Sequence, residues 1–440
     1  MDATAKGILQ FVNENDVRFI KLAFCDLLGR QKNISIMPEE LTRAFEKGIS
    51  FDAHAIQGFT DITKSDLFLF PDPATLSVLP WRPQQGRVVR FYCDIKNPDG
   101  SIFWGDTREF LKSVIARVEQ KGYVCKIGAE CEFYLFNTDE NGEPTNIPFD
   151  NGSYLDVAPL DKGENVRREI CLCLEEMGIK PESSHHEQGP GQNEIDFKFS
   201  DALICADNLV TFKTVVKTIA ARNGLFASFS PKPLQGKSGN GLHINLSLSH
   251  NGHNIFEIGN ENEHSKESES FIAGILKKTP EITAFLNPLP VSYERFGEHE
   301  APKYVSWSHG NRSQLVRIPS ATGENVRMEL RSPDPAINPY LAFALVISAG
   351  LYGIEEELPL PDSVNFDLYT AEKSITDNLL TLPTDMTEAL NIAEQSEFVK
   401  NTILTEVYSK FFTLKNLENK LYISAKDKSE YFLENYFKII

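Results

Sequence analysis

Four segments of this chain alternate apolar and polar residues with the two-residue period of a β-strand. Their polar positions carry Glu, His and Arg, not the Thr, Lys and Ser of a solvated face. From Tyr123 to Phe136 the odd positions (Tyr123, Cys125, Ile127, Ala129, Cys131, Phe133 and Leu135) are apolar, while Glu130 and Glu132 fall on even ones. Residues i and i+2 share a strand face, so these two carboxylates project side by side. Glu194 to Phe199 alternates likewise, with Glu194 on the polar face. In the third segment His243, Asn245 and Ser247 oppose Leu242, Ile244, Leu246 and Leu248. In the fourth, Arg327, Glu329 and Arg331 oppose Val326, Met328 and Leu330. Any one segment reads as a half-exposed antiparallel strand whose polar face meets water. Together they read as faces lining one cavity, where packed carboxylates would raise one another's pKa unless a cation relieved the repulsion.

A further carboxylate, Glu187, sits in His185-His186-Glu187-Gln188-Gly189-Pro190-Gly191, whose glycines let the chain bend back toward Glu194. The adjacent histidines invite a zinc reading, but neighbours on an extended chain point oppositely and chelate poorly. Glutamates with a single imidazole suit hard ions, Mg²⁺ or Mn²⁺. Arg295, Arg312, Arg317, Arg327 and Arg331 follow in one stretch, and guanidinium forks match phosphate and carboxylate. Gly236-Lys237-Ser238 imitates the end of a P-loop, but Pro231 stands where that motif needs glycine. Gly236, Gly239 and Gly241 do not fit a dinucleotide fingerprint.

At 440 residues the chain exceeds what one core normally holds, about 250–300 residues, so two units are expected. The turn Asn97-Pro98-Asp99-Gly100 precedes a helix capped by Asp106 or Thr107 and closed by Gly122, which places the boundary near 103–106. Before it lie short β-like runs at Phe19–Cys25, Leu67–Phe70 and Val88–Cys93. After it, helices are expected over 165–177, 208–222 and from Asn338-Pro339 onward, and the last 60 residues read as mainly helical. The apolar end (Tyr431, Phe432, Tyr436, Phe437, Ile439, Ile440) calls for a docking surface on its own body or a neighbour. Acids outnumber Lys and Arg by 62 to 44, which argues against nucleic acid and anionic membranes as partners. The start Met1-Asp2-Ala3-Thr4-Ala5-Lys6 lacks an export signal, and the apolar run Tyr340–Ile354 is too short to span a bilayer. Seven scattered cysteines without a Cys-x-x-Cys pair suggest neither disulfides nor structural zinc, so a reducing cytoplasm is expected.

The chain resembles the prokaryotic type I glutamine synthetase family over residues 15 to 400. The resemblance rests on Phe51-Asp52 with Gly58-Phe59, Glu130-Cys131-Glu132, and His185-His186-Glu187 through Gly191-Gln192-Asn193-Glu194. It continues through Lys232-Pro233-Leu234, Gly239-Asn240-Gly241-Leu242-His243, Asn311-Arg312-Ser313 and Arg317-Ile318-Pro319. It closes on Arg327-Met328-Glu329-Leu330-Arg331 and Asp334-Pro335-Ala336-Ile337-Asn338-Pro339-Tyr340. It implies an α+β fold: an N-terminal β-grasp domain over 1–104 and a larger α/β catalytic domain over 105–440, with a helical C-terminal region and a metal-lined antiparallel sheet funnel. It implies an ATP-dependent, ADP-forming glutamate–ammonia ligase with two divalent ions, assembled as two stacked hexameric rings. Active sites would lie between subunits, and the apolar C-terminus would suit the contact between rings. Carried over by position, one metal site is Glu132, Glu187 and Glu194, and the other is Glu130, His243 and Glu329. Glu182, Asn245, Ser247, Arg317 and Arg327 match nucleotide positions. Ser238, Gly239, Arg295 and Arg331 match glutamate positions, and Arg312 matches an arginine that steadies the transferring phosphoryl group. Asp52, Tyr154 and Glu300 match the ammonium site, with Asp52 and Glu300 acting in catalysis and a loop over Phe296 to Glu300 as the lid.

The departures cluster near the amine and glutamate sites. Ala53-His54-Ala55 stands where the family has Gly-Ser-Ser, Ser238 replaces an asparagine, and the loop from Arg295 to Glu300 is one residue short. They keep a γ-glutamyl–amine ligase acting on polyamine, methylamine or ethanolamine in play, while Asp52, Tyr154 and Glu300 together favour ammonia. A non-catalytic scaffold is the remaining alternative, and the metal positions argue against it. Tyr369 aligns with the tyrosine that longer members adenylylate, but its surroundings differ.

Overall fold

Residues whose short runs alternate in hydrophobicity before residue 100 build one sheet, and those after 120 build another. The computed structural model describes residues 3–82, 84–257 and 264–440. Met1 and Asp2, part of the stretch read for an export signal, lie outside the described residues. The first sheet comprises β1 (Val17–Cys25), β2 (Gln31–Ile36), β3 (Ile49–Asp52), β4 (Asp66–Pro71), β5 (Ser77–Val78) and β6 (Arg87–Lys96). Its order is β2-β1-β6-β4-β3, with β5 beside β6. β1 and β6 run parallel, while the other pairs are antiparallel. Helices α1 (Ala3–Glu14) and α2 (Leu41–Lys47) accompany it. Its core is Ile20, Leu22, Leu67, Leu69, Val89, Phe91, Phe59 and Phe103.

The second sheet holds eleven strands. They are β7 (Tyr123–Thr138), β8 (Pro144–Pro148), β9 (Pro181–His186), β10 (Gln192–Phe197), β11 (Ser200–Asp201), β12 (Leu225–Ser228), β13 (Leu242–His250), β14 (His253–Asn254), β15 (Trp307–His309), β16 (Val316–Ile318) and β17 (Met328–Leu330). The main order is β15-β16-β17-β13-β7-β10-β9. Apart from the parallel pair β15–β16, these neighbours are antiparallel. The apolar face, with Ile127, Ala129, Cys131, Ile195, Ile244, Leu246, Met328 and Leu330, belongs to one core shared with the helices. Those helices are α3 (Thr107–Gln120), α4 (Glu164–Glu176), α5 (Ala202–Arg222), α6 (Lys266–Leu286) and α7 (Pro339–Glu355). The opposite face is left for chemistry.

Local signals account for the helices. Asp106 caps α3, its Oδ1 accepting the Glu109 amide at 3.0 Å. Its Oδ2 accepts the Ile95 amide of β6 at 2.7 Å, so one carboxyl links the cap to the first sheet. Burial pushes the Asp106 pKa up to about 6 despite those donors. Gly122 follows α3 with φ +85°, as its C′ role requires. In α7, Asn338 caps the amides of Tyr340 and Leu341 with Pro339 at the first turn, and the helix is buried on nearly all sides. It packs against α6 through small residues. A Cβ at Gly353 would stand 1.9 Å from the Ser270 carbonyl oxygen. No helix among the described residues is long and apolar enough to cross a membrane.

Three expectations shift. α5 starts at Ala202, six residues ahead of 208, because Ala202, Cys205 and Ala206 are themselves core residues. The fourth alternating segment pairs only over Met328–Leu330. Tyr134 and Phe136, at even positions of β7, are fully buried. What buries them is the chain end: Phe437 packs edge-on against Phe136 at 5.0 Å, and Tyr436 joins Leu289, Val291 and Tyr422. Helices at Met386–Gln395, Glu397–Thr402, Thr405–Ser424 and Lys428–Phe432 lead to this tail, so the apolar terminus docks on its own body.

Candidate functional site

Antiparallel register turns the alternation into cross-strand pairs. Glu194 of β10 faces Glu132 of β7, and His243 of β13 faces Glu130. Glu329 of β17 faces Asn245 on one side and Arg317 of β16 on the other. Facing residues on a shared face lie about 4.5–5.5 Å apart at Cβ, so the charged groups form one continuous patch. The patch floors a cavity of about 1340 Å³ lined by Glu130, Glu132, Glu187, Glu194 and His243, with Arg295, Arg312, Arg317 and Arg327 around them.

Two sets of donors stand ready for a cation. Ligand atoms of Glu130, His243 and Glu329 lie within 4.8 Å of one another, as do those of His185, Glu187 and Glu194. The first set is the one expected. In the second, His185 joins Glu187 and Glu194, with its Nε2 2.9 Å from Glu187 Oε1, and Glu132 falls outside that distance. Glu132 stays in the cavity wall, but its Oε2 already accepts Gln192 Nε2 at 2.8 Å and the Gly241 amide at 2.9 Å. The electrostatics of the two sets differ. Burial works against charge on Glu130, yet hydrogen bonds from His243 and Asn245 outweigh it and hold its carboxyl at about 2. Burial likewise opposes Glu329, and Arg331, His243 and Arg317 outweigh it, keeping its pKa low. On the other side, burial and then Glu187 lift Glu132 to about 7. Burial followed by Asp196, Glu132, Glu130 and Glu187 raises Glu194 well above the ordinary range. Oxygen-rich donors short of positive charge fit a hard divalent ion.

His186 turns away from His185, as expected of neighbours on a strand. It is buried, with Nε2 2.9 Å from Asp150 and Nδ1 2.7 Å from the Glu187 carbonyl. Asp150 and Asp161 lie close to it. Their oxygens are already taken by backbone amides and Arg167, so this group is a brace for the loop carrying Glu187.

A second recess of about 270 Å³ opens on the far side of Arg327 and contains Glu182, Asn245 and Ser247. Arg317 lines the main cavity instead. Lys126 and Phe199 also line the recess, with the ammonium 5.5 Å over the ring. Sequence reading missed both. Parity offers the signal for Lys126, which shares the even face of β7 with Glu130 and Glu132.

At the other end of the cavity, Arg295 is 3% exposed. Its Nη1 donates to the carbonyls of Ser332 and Pro333, while its Nε is buried without a partner. Gly239 packs on it: a Cβ there would meet Arg295 Cγ at 2.6 Å and the Pro231 carbonyl oxygen at 2.4 Å. Ser238 lines the cavity, and its carbonyl accepts Tyr134 Oη at 2.6 Å. Arg331, expected to face substrate, is fully buried and does not line the cavity. It pairs with Glu329, donates to the carbonyl of Arg312 at 3.1 Å and lies 3.5 Å from the Glu300 carboxylate. Arg312 is exposed, 3.9 Å from Glu300. His299 and Glu300 have φ of 45° and 63°, a left-handed conformation disfavoured for both. Tyr154 stands edge-on to His185 at 5.6 Å. Asp52 is not among the lining residues; it ends β3, is exposed, and accepts the His54 amide at 3.0 Å. The chain thus gathers Tyr154 and Glu300 at its cavity but not Asp52.

Residues 16–98 match the glutamine synthetase beta-Grasp domain, and residues 104–434 match the glutamine synthetase catalytic domain. The chain is 44% identical over 437 residues to a glutamine synthetase of Clostridium saccharobutylicum, covering 98% of each. It is 45% identical over 419 residues to one of Methanosarcina mazei, covering 94% of each. Among solved structures, a GmaS/ADP complex superposes with a TM-score of 0.87 at 31% identity, over 97% of this chain and 98% of that one.

Proposed function

The chain belongs to the glutamine synthetase family, and from that premise we propose that it joins glutamate to ammonia with ATP, releasing ADP and phosphate. The observation that carries the reading is the single cavity in which carboxylate and imidazole clusters meet arginines beside a second recess. The recess takes the nucleotide, with Glu182, Asn245, Ser247 and Arg327 around it and Arg317 at its cavity side. Lys126 and Phe199 complete that pocket. Mg²⁺ or Mn²⁺ at Glu130, His243 and Glu329, and at Glu187 and Glu194 with Glu132 or His185, would supply positive charge against the triphosphate. Glutamate lies toward Gly239, Ser238 and Arg295, where the unpartnered guanidinium N–H can meet a carboxylate. Arg331 supports that end by holding Glu329 and Glu300 in place.

A carboxylate is a poor electrophile, so it must first be activated. A γ-carboxylate oxygen attacks the terminal phosphorus of ATP, the bond to the bridging oxygen breaks, and ADP leaves. Arg312 and Arg317 face the charge that develops on the transferring group. The loop over Phe296 to Glu300 keeps water from the acyl phosphate. Ammonium held by Tyr154, Glu300 and Asp52 gives a proton to Asp52. The freed ammonia attacks the carbonyl carbon, the adduct gives its extra proton to Glu300, and phosphate departs with the former carboxylate oxygen. Since Asp52 stands apart from its own chain's cavity, a neighbouring subunit supplies it, in keeping with a cytoplasmic dodecamer of two hexameric rings. The apolar tail, docked on its own body, would meet the opposite ring with its exposed portion.

A γ-glutamyl–amine ligase is the second reading, favoured by Ala53-His54-Ala55 beside Asp52 and by Ser238 in the glutamate pocket. ADP release measured with glutamate plus ammonium, methylamine, ethanolamine or putrescine separates the two. Ammonium as the preferred acceptor supports the proposal, and activity confined to an amine would sink it.

A further inference from the structure

One cavity residue has no part in the chemistry above. Gln188 lies between Glu187 and Gly189, is exposed, and lines the cavity. Its backbone amide donates to Glu187 Oε2 at 2.9 Å, and Gly189 beyond it is held by Gln192 Oε1 at 2.9 Å. The base of the side chain is therefore fixed. Its amide reaches in two directions. Nε2 donates to Glu300 Oε1 at 3.3 Å, and Oε1 accepts the Ser238 hydroxyl at 3.4 Å. These use the donor and the acceptor end of one planar group, so a single orientation satisfies both. Glu300 sits on the loop with two left-handed non-glycine residues, His299 and Glu300 itself, while Ser238 belongs to the glycine-rich loop on the other wall. Gln188 thus joins the Glu300 loop, read above as the lid, to the Ser238 wall of the cavity. Both bonds are long, which suits a contact that must open for substrate.

We propose that Gln188 is a positioning residue that clasps the Glu300 loop to the Ser238 wall and so keeps water from the acyl phosphate until ammonia arrives. The inference rests on the ligase reading. The clasp acts on commitment, the share of acyl phosphate that becomes amide, and not on phosphoryl transfer itself. Gln188→Met keeps length and volume and removes both hydrogen bonds. Gln188→Glu keeps the shape and sets a carboxylate against Glu300.

The test measures ADP released with glutamate in the presence and absence of ammonium, together with glutamine formed and thermal stability. In the wild type, ADP and glutamine appear in equal amounts with ammonium present. In Gln188→Met the ammonium-independent, glutamate-dependent ADP release should rise roughly five- to tenfold, the loss of one to two net hydrogen bonds. Gln188→Glu should leak more, and Ser238→Ala less but in the same direction. Unchanged melting temperature with a raised ADP-to-glutamine ratio is the signature, since a packing role would leave Gln188→Met tightly coupled. An active wild type beside an equally tight Gln188→Met overturns the clasp alone. A wild type that releases no ADP with glutamate overturns the ligase reading and the clasp with it.

Discussion

Replacing Glu329 by glutamine perturbs stability and cation binding at one point. The side chain is 1% exposed, and both its oxygens are engaged, Oε2 by Arg317 at 2.8 Å and Oε1 by Arg331, with His243 3.5 Å away. A carboxylate accepts from both arginines, but a primary amide has only one acceptor, so glutamine turns an N–H toward a guanidinium N–H. Arg331 is fully buried and would keep only carbonyls and the Glu300 carboxylate at 3.5 Å. Breaking one partner of a buried pair costs about 3–5 kcal/mol. The remaining Glu300 places this case near the lower end, about 3 kcal/mol. For a chain of this length that lowers the melting temperature by roughly 3 °C. Saturating Mn²⁺, at about a hundred times its dissociation constant, would stabilise the wild type by about 2.7 kcal/mol per site. In the variant the site shared with Glu130 and His243 loses that increment, as well as one equivalent of bound ion in a titration followed by Mn²⁺ paramagnetic resonance. A Glu329→Gln protein that melts with the wild type and binds Mn²⁺ with unchanged stoichiometry and affinity would refute the assignment.

The packing of α6 on α7 predicts that Gly353→Ala, whose methyl group would strike the Ser270 carbonyl oxygen, lowers stability by about 1–3 kcal/mol without altering Mn²⁺ stoichiometry. Denaturant unfolding with parallel metal titration checks both halves. Burial raises the Asp106 pKa from 3.8 to about 6, so the folded state holds its proton more tightly than the unfolded chain. The associated stability is present below the unfolded value and declines by about 3 kcal/mol as pH rises through 6. Wild type should therefore lose about 3 kcal/mol relative to Asp106→Asn between pH 4 and 6.5 in urea titrations; a constant difference would contradict the buried, neutral-favouring site. Finally, Asp52→Asn and Glu329→Gln should each abolish ligase activity, and their co-expressed mixture should recover part of it if one chain supplies Asp52 to another's cavity. Mixed assemblies as inactive as the parents would contradict the sharing of Asp52 between chains.

The period-two pattern carried most of the site, because register in a sheet with one buried face is hard to slip. Parity put Glu130, His243 and Glu329 each on the polar face of its strand, and the family resemblance grouped them; the register of three neighbouring strands then brings them together. What the alternation could not carry depended on partners distant in sequence. Glu132 has the right face, but that Gln192 and the Gly241 amide engage one of its oxygens, and that His185 stands beside Glu187, follows from contacts across the sheet. Arg331 has the parity of a cavity residue, yet its guanidinium donates to the carbonyls of Arg312 and Glu300, and it lies behind the cavity wall. Tyr134 and Phe136 broke the alternation because a tail three hundred residues downstream covers them. Asp52 ends an edge strand away from its own cavity, and alternation within one chain says nothing about which cavity it serves.

The central claim, that an acyl phosphate is made from glutamate and captured by ammonia, can be tested in one tube. The enzyme is given ATP, ¹⁵N-ammonium and glutamate labelled with ¹⁸O in its γ-carboxylate, and both products are weighed by mass spectrometry. The expected products are ¹⁵N-glutamine and inorganic phosphate carrying one ¹⁸O, formed in step with ADP. Phosphate free of ¹⁸O, or ADP released without ¹⁵N-glutamine, would contradict it.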